Sequence, residues 1–317
     1  MSEWWVGAYG PDLGGTAPGI TRLRRRDDGT LEVDDSIVVE LASPSFLAAD
    51  HSTLYATLEG SAEVAVVDRK TLSVTRRVSS GGAYPCHLGL YGDTVIVANY
   101  GDGSLAVLDG DILSATGSGP HPAQDGPHAH SSLELEPGII VSADLGADRI
   151  HVHTLVDGVL TRTASVELPP GTGPRDLLLH PSGMLLVLGE HSSAIIVLDW
   201  RGGELLFVDS FGLPGAEPGD QAAGLVVSHD GVIYALLRGS NRVSVLGSSE
   251  DGRALERLGS VSSEGEWPRH LALDGRILHV ANQLSSTVAS FELGDDGLPV
   301  LIGSPTAVAS PTYLLQV

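Results

Sequence analysis

The chain of 317 residues carries 18 Lys+Arg against 40 Asp+Glu, a formal charge of −22 with histidine neutral. That balance argues against a nucleic-acid or anionic-membrane surface, although arginines clustered in one pocket would still hold an anionic small molecule. One cysteine, Cys86, excludes an intramolecular disulfide, no run is apolar enough to span a bilayer, and MSEWWVGAYG lacks the regions of a secretory leader, so a soluble cytoplasmic protein is expected.

Residues 4–8 read as a strand, followed by the Gly/Pro loop PDLGGTAPG and two outer strands at 20–24 and 31–41. Arg24-Arg25-Arg26 followed by Asp27-Asp28 reads as the solvent face of an outer strand. From there one phrase recurs. A short strand starts at Pro44, Pro85, Ala129, Pro174, Ala222 and Pro268, turns, and is followed by a second strand. The last copy, residues 267–291, is the clearest: an apolar run closes at Asp274-Gly275, a strong hairpin signal, and 276–282 and 287–291 supply two more strands. Long Gly/Pro loops at 112–127 and 211–221 fall at repeat joins.

Second strands end at Tyr9, Glu59, Tyr100, Leu145, Glu190, Arg238 and Gln283; from Glu59 onward the spacings are about 41 to 48 residues, a period of four-stranded propeller blades. Tyr9 has almost nothing ahead of its strand, and a seventh start at Pro311 has nothing after it. A ring solves both problems and hides a free edge, where an open solenoid or a two-sheet sandwich does not. The expected fold is therefore an all-β, seven-bladed β-propeller of four-stranded blades over residues 1–317, one domain, with the C-terminal strand joining the N-terminal blade.

The strand starts lie near the ring axis on one face. Just inside the starts, one column is read as Phe46, His87, His130, Asp176, Gly224, His270 and Tyr313, and the residues before them are Ser45, Cys86, Ala129, Arg175, Ala223, Arg269 and Thr312. These columns vary strongly and concentrate imidazole, carboxylate and guanidinium groups, which points to a site at this end of the blades. His87, His130 and His270 come from separated blades, so no metal centre is expected. Cys86 reads as a small buried hydrophobe. There is no G-x-S-x-G elbow and no dinucleotide glycine motif. Arg175, Arg238 and Arg269 suit a carboxylate or phosphate, or else pair with Glu59, Glu190 or Asp176. His130 and Glu190 are candidates for general acid or base.

The phrases SPSFL, PCHL with VANYGDGSLAV, PHAHS with ADLGADRI, GTGPRDLLLHPSG with GEHSSAIIVL, LLRGSNRVSVL, and WPRHLALDG with VANQLSSTV appear in one order along nearly the whole chain. Together they resemble the bacterial lactonase family of seven-bladed propellers, which is itself similar to fungal carboxy-muconate lactonizing enzymes. The resemblance implies a catalytic set of His130, Arg175, Glu190 and Arg238, a cleft lined also by His87, Arg269 and His270, and no metal or other cofactor. Three positions depart from the usual pattern: Asp176 stands where GPRH has histidine, Gly189 where Asn-Glu has asparagine, and Gly224 where Ala-Glu has glutamate. The activity implied is hydrolysis of a small sugar lactone, 6-phosphoglucono-1,5-lactone being one candidate. The alternatives are lactonization or isomerisation of an anionic carboxylate, and a propeller that only binds a small ligand or a protein.

Overall fold

The computed structural model describes residues 2–317, apart from the side chains of 35–37. Seven antiparallel sheets follow one another around an axis. Six are sequential: their inner strands are Pro44–Ala49, Pro85–Tyr91, Ala129–Glu136, Pro174–Leu179, Gln221–Val227 and Pro268–Asp274, and they form blades 2 to 7. Blade 1 is composite. Its inner strand, Pro311–Gln316, pairs with Glu3–Ala8, followed by Gly19–Arg25 and Leu31–Glu40. The closing register runs from Trp4↔Gln316 to Ala8↔Pro311.

Strand alternation builds the core. Successive side chains leave opposite faces of a strand, so each blade packs against both neighbours. Trp4 packs toward Ala281 and Val288 of blade 7, and Trp5 toward Leu47 and Leu54 of blade 2. In blade 5, Ile195 faces blade 6 and Ile196 faces blade 4. Seven apolar clusters result, one at each junction, the seventh joining blade 7 to blade 1. The ring is thus closed by packing as well as by strand pairing. Outer strands such as Ser73–Ser79 are largely exposed. The arginine run there is accounted for by ion pairs: Arg24 and Arg26 hold Glu32, and Arg25 holds Asp274. The region expected as a loop at 112–127 opens with the two-residue edge strand Ile112–Leu113 of blade 3.

One irregularity positions the site. The inner-strand register slips near the start of the strand: between Pro85 and His87, Ala129 and Ser131, Pro174 and Asp176, and Pro268 and His270, and in blade 6 between Ala223 and Leu225. A bulge of this kind re-aims the extra residue. The bulged residues are Cys86, His130, Arg175 and Arg269, so His130 belongs to the ring of Arg175 and Arg269. The expected column with His87, Asp176 and His270 is corrected at that position: its blade 4 member is Ser131. Counted from the strand starts, His130 follows Ala129 as Arg175 follows Pro174, so the two are level.

Candidate active site

Three clusters ring the mouth of the axial channel. In the first, Glu190 follows the second strand of blade 5, Met184–Gly189, and lies between two arginines. Arg175 Nη1 donates to Glu190 Oε2 at 2.5 Å, and Arg238 Nη2 reaches the same oxygen at 2.7 Å. The three residues are only 8%, 7% and 5% exposed in the order Arg175, Glu190, Arg238. Burial opposes ionisation of Glu190, but the Arg238 and Arg175 charges prevail and hold its carboxyl well below the usual range. Burial pushes Arg238 down to about 9, although Glu190 works against that. Arg238 also donates from Nε to the Gln221 carbonyl at 3.1 Å and lies 5.4 Å over the Trp267 ring. Trp267 has φ +61, a left-handed conformation that costs a bulky residue about 1–2 kcal/mol.

The second cluster crosses the closure. Arg269 donates from Nη2 to the Tyr9 hydroxyl oxygen at 2.7 Å and from Nη1 to Gln283 Oε1 at 3.2 Å. Tyr9 donates in turn to Glu59 at 2.9 Å. Among the described residues no carboxylate lies within 4.0 Å of Arg269. In the third, Tyr100 stacks on His128 at 4.4 Å and presents an edge relation to His130 at 6.0 Å. Neither ring nitrogen of His130 has a hydrogen-bond partner among the described residues. Burial, then the Arg175 charge, holds His130 well below the usual histidine value, so its imidazole is neutral near pH 7. Cys86 donates its thiol to the carbonyls of Ala129 and His130, and burial pushes it up to about 12, which removes it as a nucleophile.

The channel forms a cavity of about 480 Å³, within the size range of small-molecule sites. His130, Arg175 and Arg269 line it together with Cys86; one residue further along the strands come His87, Ser131, Asp176, His270, Phe46 and Tyr313, and beyond them leucines. Of the expected catalytic set, His130 and Arg175 face the cavity, whereas Glu190 and Arg238 stand behind Arg175. His87, Arg269 and His270 all line it. The alternative ion-pair reading of the arginines applies to Arg175 and Arg238, not to Arg269. Tyr9, Tyr100 and Trp267 were not foreseen as partners of these groups. Tyr9 and Tyr100 stand at second-strand ends, the one signal that marks them. Among the described residues no group of three His, Cys, Asp or Glu is arranged to hold a metal ion.

Residues 3–316 match the family described as "Lactonase, 7-bladed beta-propeller". The 6-phosphogluconolactonase of Bacillus subtilis is 27% identical over 340 residues, covering 97% of each chain. A solved protein from Lactobacillus plantarum superposes with a TM-score of 0.90 at 25% identity, covering 100% of both chains. The periplasmic gluconolactonase of Pseudomonas aeruginosa does so with a TM-score of 0.87 at 26% identity, covering 100% of this chain and 99% of that one. The last relative overturns the cytoplasmic expectation, because this architecture serves in the periplasm. A propeller closed by seven apolar junctions needs no disulfide, so a lone cysteine carries no information about compartment. With the family description covering nearly every residue and the ring, the bulges and the channel all in place, the chain belongs to the lactonase family of seven-bladed β-propellers and is related to the 6-phosphogluconolactonases.

Proposed function

We propose that the chain, acting as one domain over residues 1–317, hydrolyses a small sugar lactone without a metal, with 6-phosphoglucono-1,5-lactone as the first candidate. The observation that carries this reading is a neutral, unpartnered His130 imidazole in the same cavity as Arg175 and Arg269. His130 is the base. A water attacks the lactone carbonyl carbon while its proton passes to His130. The oxyanion forms against guanidinium donors from Arg175 or Arg269, which need no reorganisation as the charge develops. The acyl C–O bond then breaks, and the His130 imidazolium returns the proton to the leaving ring oxygen, giving a hydroxyl and a carboxylic acid, which releases the second proton of the water to solvent as it ionises. Glu190 is a poor base, since both arginines hold it ionised; its work is to fix Arg175 in place. Arg269, without a carboxylate of its own, is the group best placed to take a substrate phosphate.

The test is turnover of purified protein on glucono-1,5-lactone, its 6-phosphate and an unsubstituted δ-lactone, beside His130→Ala. Loss of about 10²–10⁴ in kcat/KM is expected for the variant, with the acid limb of the wild-type pH profile below the usual histidine value near ~6.5. No wild-type rate above spontaneous hydrolysis on any of the three refutes the activity.

A further inference from the structure

The tier directly below the arginines has a chemistry of its own. Among the described residues, Asp176 is the one carboxylate that lines the cavity. Its Oδ1 accepts the Leu177 N–H at 3.0 Å, and the Leu225 N–H of blade 6 also bonds the carboxylate. His270 accepts the Leu314 N–H on Nδ1 at 3.2 Å, so its neutral ring carries the proton on Nε2. The Tyr313 ring lies 4.0 Å from that of His270, and its hydroxyl has no partner among the described residues. Ser131 Oγ and His87 Nδ1 are buried and equally unpartnered. Buried polar groups are normally paired, and a run of them around one channel calls for a ligand rich in hydrogen-bonding groups.

We propose that Asp176, with His270 and Tyr313, forms a polyol subsite that holds the hydroxyl edge of the substrate and disfavours a second anionic group there. The identification of that edge rests on the lactonase reading. In a 1,5-lactone of a hexose, the carbonyl, the ring oxygen and the carbon bearing C6 share one edge of the ring; the C2, C3 and C4 hydroxyls occupy the other. With the reacting edge at His130, Arg175 and Arg269, the hydroxyl edge meets Ser131, Asp176 and His270, which follow them in the same strands about 3.3 Å further on. The carboxylate accepts from neighbouring hydroxyls, while His270 Nε2 and the Tyr313 hydroxyl donate. Burial raises Asp176 to about 6 against the opposing pull of Arg175, so this acid is not held for the stability of the fold.

The experiment is calorimetric binding of D-gluconate and of hexanoate, equal in carboxylate and chain length but lacking hydroxyls, to the wild type, Asp176→Asn and Asp176→Leu at pH 7.5. Thermal melts establish that both variants fold. The wild type is expected to favour gluconate at least tenfold, and both variants to lose at least tenfold in gluconate affinity. Equal binding of the two acids by the wild type, or retention of the preference in the variants, overturns the subsite. Binding is read without turnover. A gluconate preference in a protein that hydrolyses no lactone therefore supports the subsite and refutes the activity, and hydrolysis without that preference does the reverse.

Discussion

Replacing Glu190 by Gln keeps the shape of the side chain and removes the only charge between Arg175 and Arg238. At 2.5 and 2.7 Å, each pair is worth about 6 kcal/mol of Coulomb energy at an effective dielectric of ~20, set against a desolvation cost of several kcal/mol per ion. Removing one partner leaves the cost without the compensation, because two guanidiniums 8% and 5% exposed then face each other unneutralised. The expected loss is about 3–5 kcal/mol. With an unfolding entropy of about 2.1 cal/mol/K per residue, the melting temperature of this chain falls by about 4 to 8 °C. Calorimetry at pH 7 reads that directly. Adding Arg238→Gln removes the second buried charge, so the double variant should melt above the single one. The pH dependence has a definite sign. The folded carboxyl of Glu190 is depressed, so its contribution is complete above the unfolded glutamate value of about 4.3 and drains as pH falls below it. The gap between wild type and Glu190→Gln should narrow over that range. A melting temperature unchanged within about 1 °C at pH 7, or a double variant less stable than the single one, would refute the triad as drawn.

Asp176 carries the opposite sign. Its folded value, raised to about 6 by burial, lies above the unfolded value of about 3.9, so the ionised acid costs stability above that window. Arg175 is the cation beside it, and His87, His270 and Tyr313 face it uncharged. Asp176→Asn should therefore raise the melting temperature at pH 8, keep about half of that gain at pH ~5, and lose it only as the pH falls below the unfolded value of about 3.9; a gain independent of pH would contradict the argument. Cys86, with its thiol raised to about 12 and bonded to two carbonyls, should react with iodoacetamide at pH 8 only on the timescale of unfolding. Labelling as fast as that of the urea-unfolded chain would show a different environment.

The repeat was legible because every blade re-uses one local phrase. The inner strands begin at Pro44, Pro85, Ala129, Pro174, Pro268 and Pro311 as expected, with blade 6 at Gln221, one residue before the expected Ala222. The levels of the site were less legible. His130 was placed one tier too deep: it follows Ala129 directly, as Arg175 follows Pro174, and so shares the tier of Arg175 and not that of Asp176. The partners of the arginines were also hidden. Arg238 on Trp267 and Arg269 on Tyr9 are contacts between blades, and a local pattern contains nothing about them. The departures at Asp176 and Gly224 read as separate losses of a histidine and a glutamate. In space they adjoin. Gly224, at φ +64, precedes the Leu225 N–H that bonds the Asp176 carboxylate, and a Cβ there would come within 2.5 Å of Leu271 Cδ2.

The composite blade also sets a clock on biosynthesis. Blades 2 to 7 each take all their strands from one uninterrupted stretch and can form as the ribosome delivers them. The strand Glu3–Ala8 emerges first and receives its partner last. Until residues 311–316 arrive, Trp4 and Trp5 lack part of their cover, the channel lacks Thr312 and Tyr313, and the bond from Arg269 to Tyr9 has no frame to hold it. A nascent chain of this protein is therefore a row of nearly finished blades without a finished pocket, with one sheet edge waiting for a single strand. The channel lining, rather than β content, is therefore what changes when the ring closes.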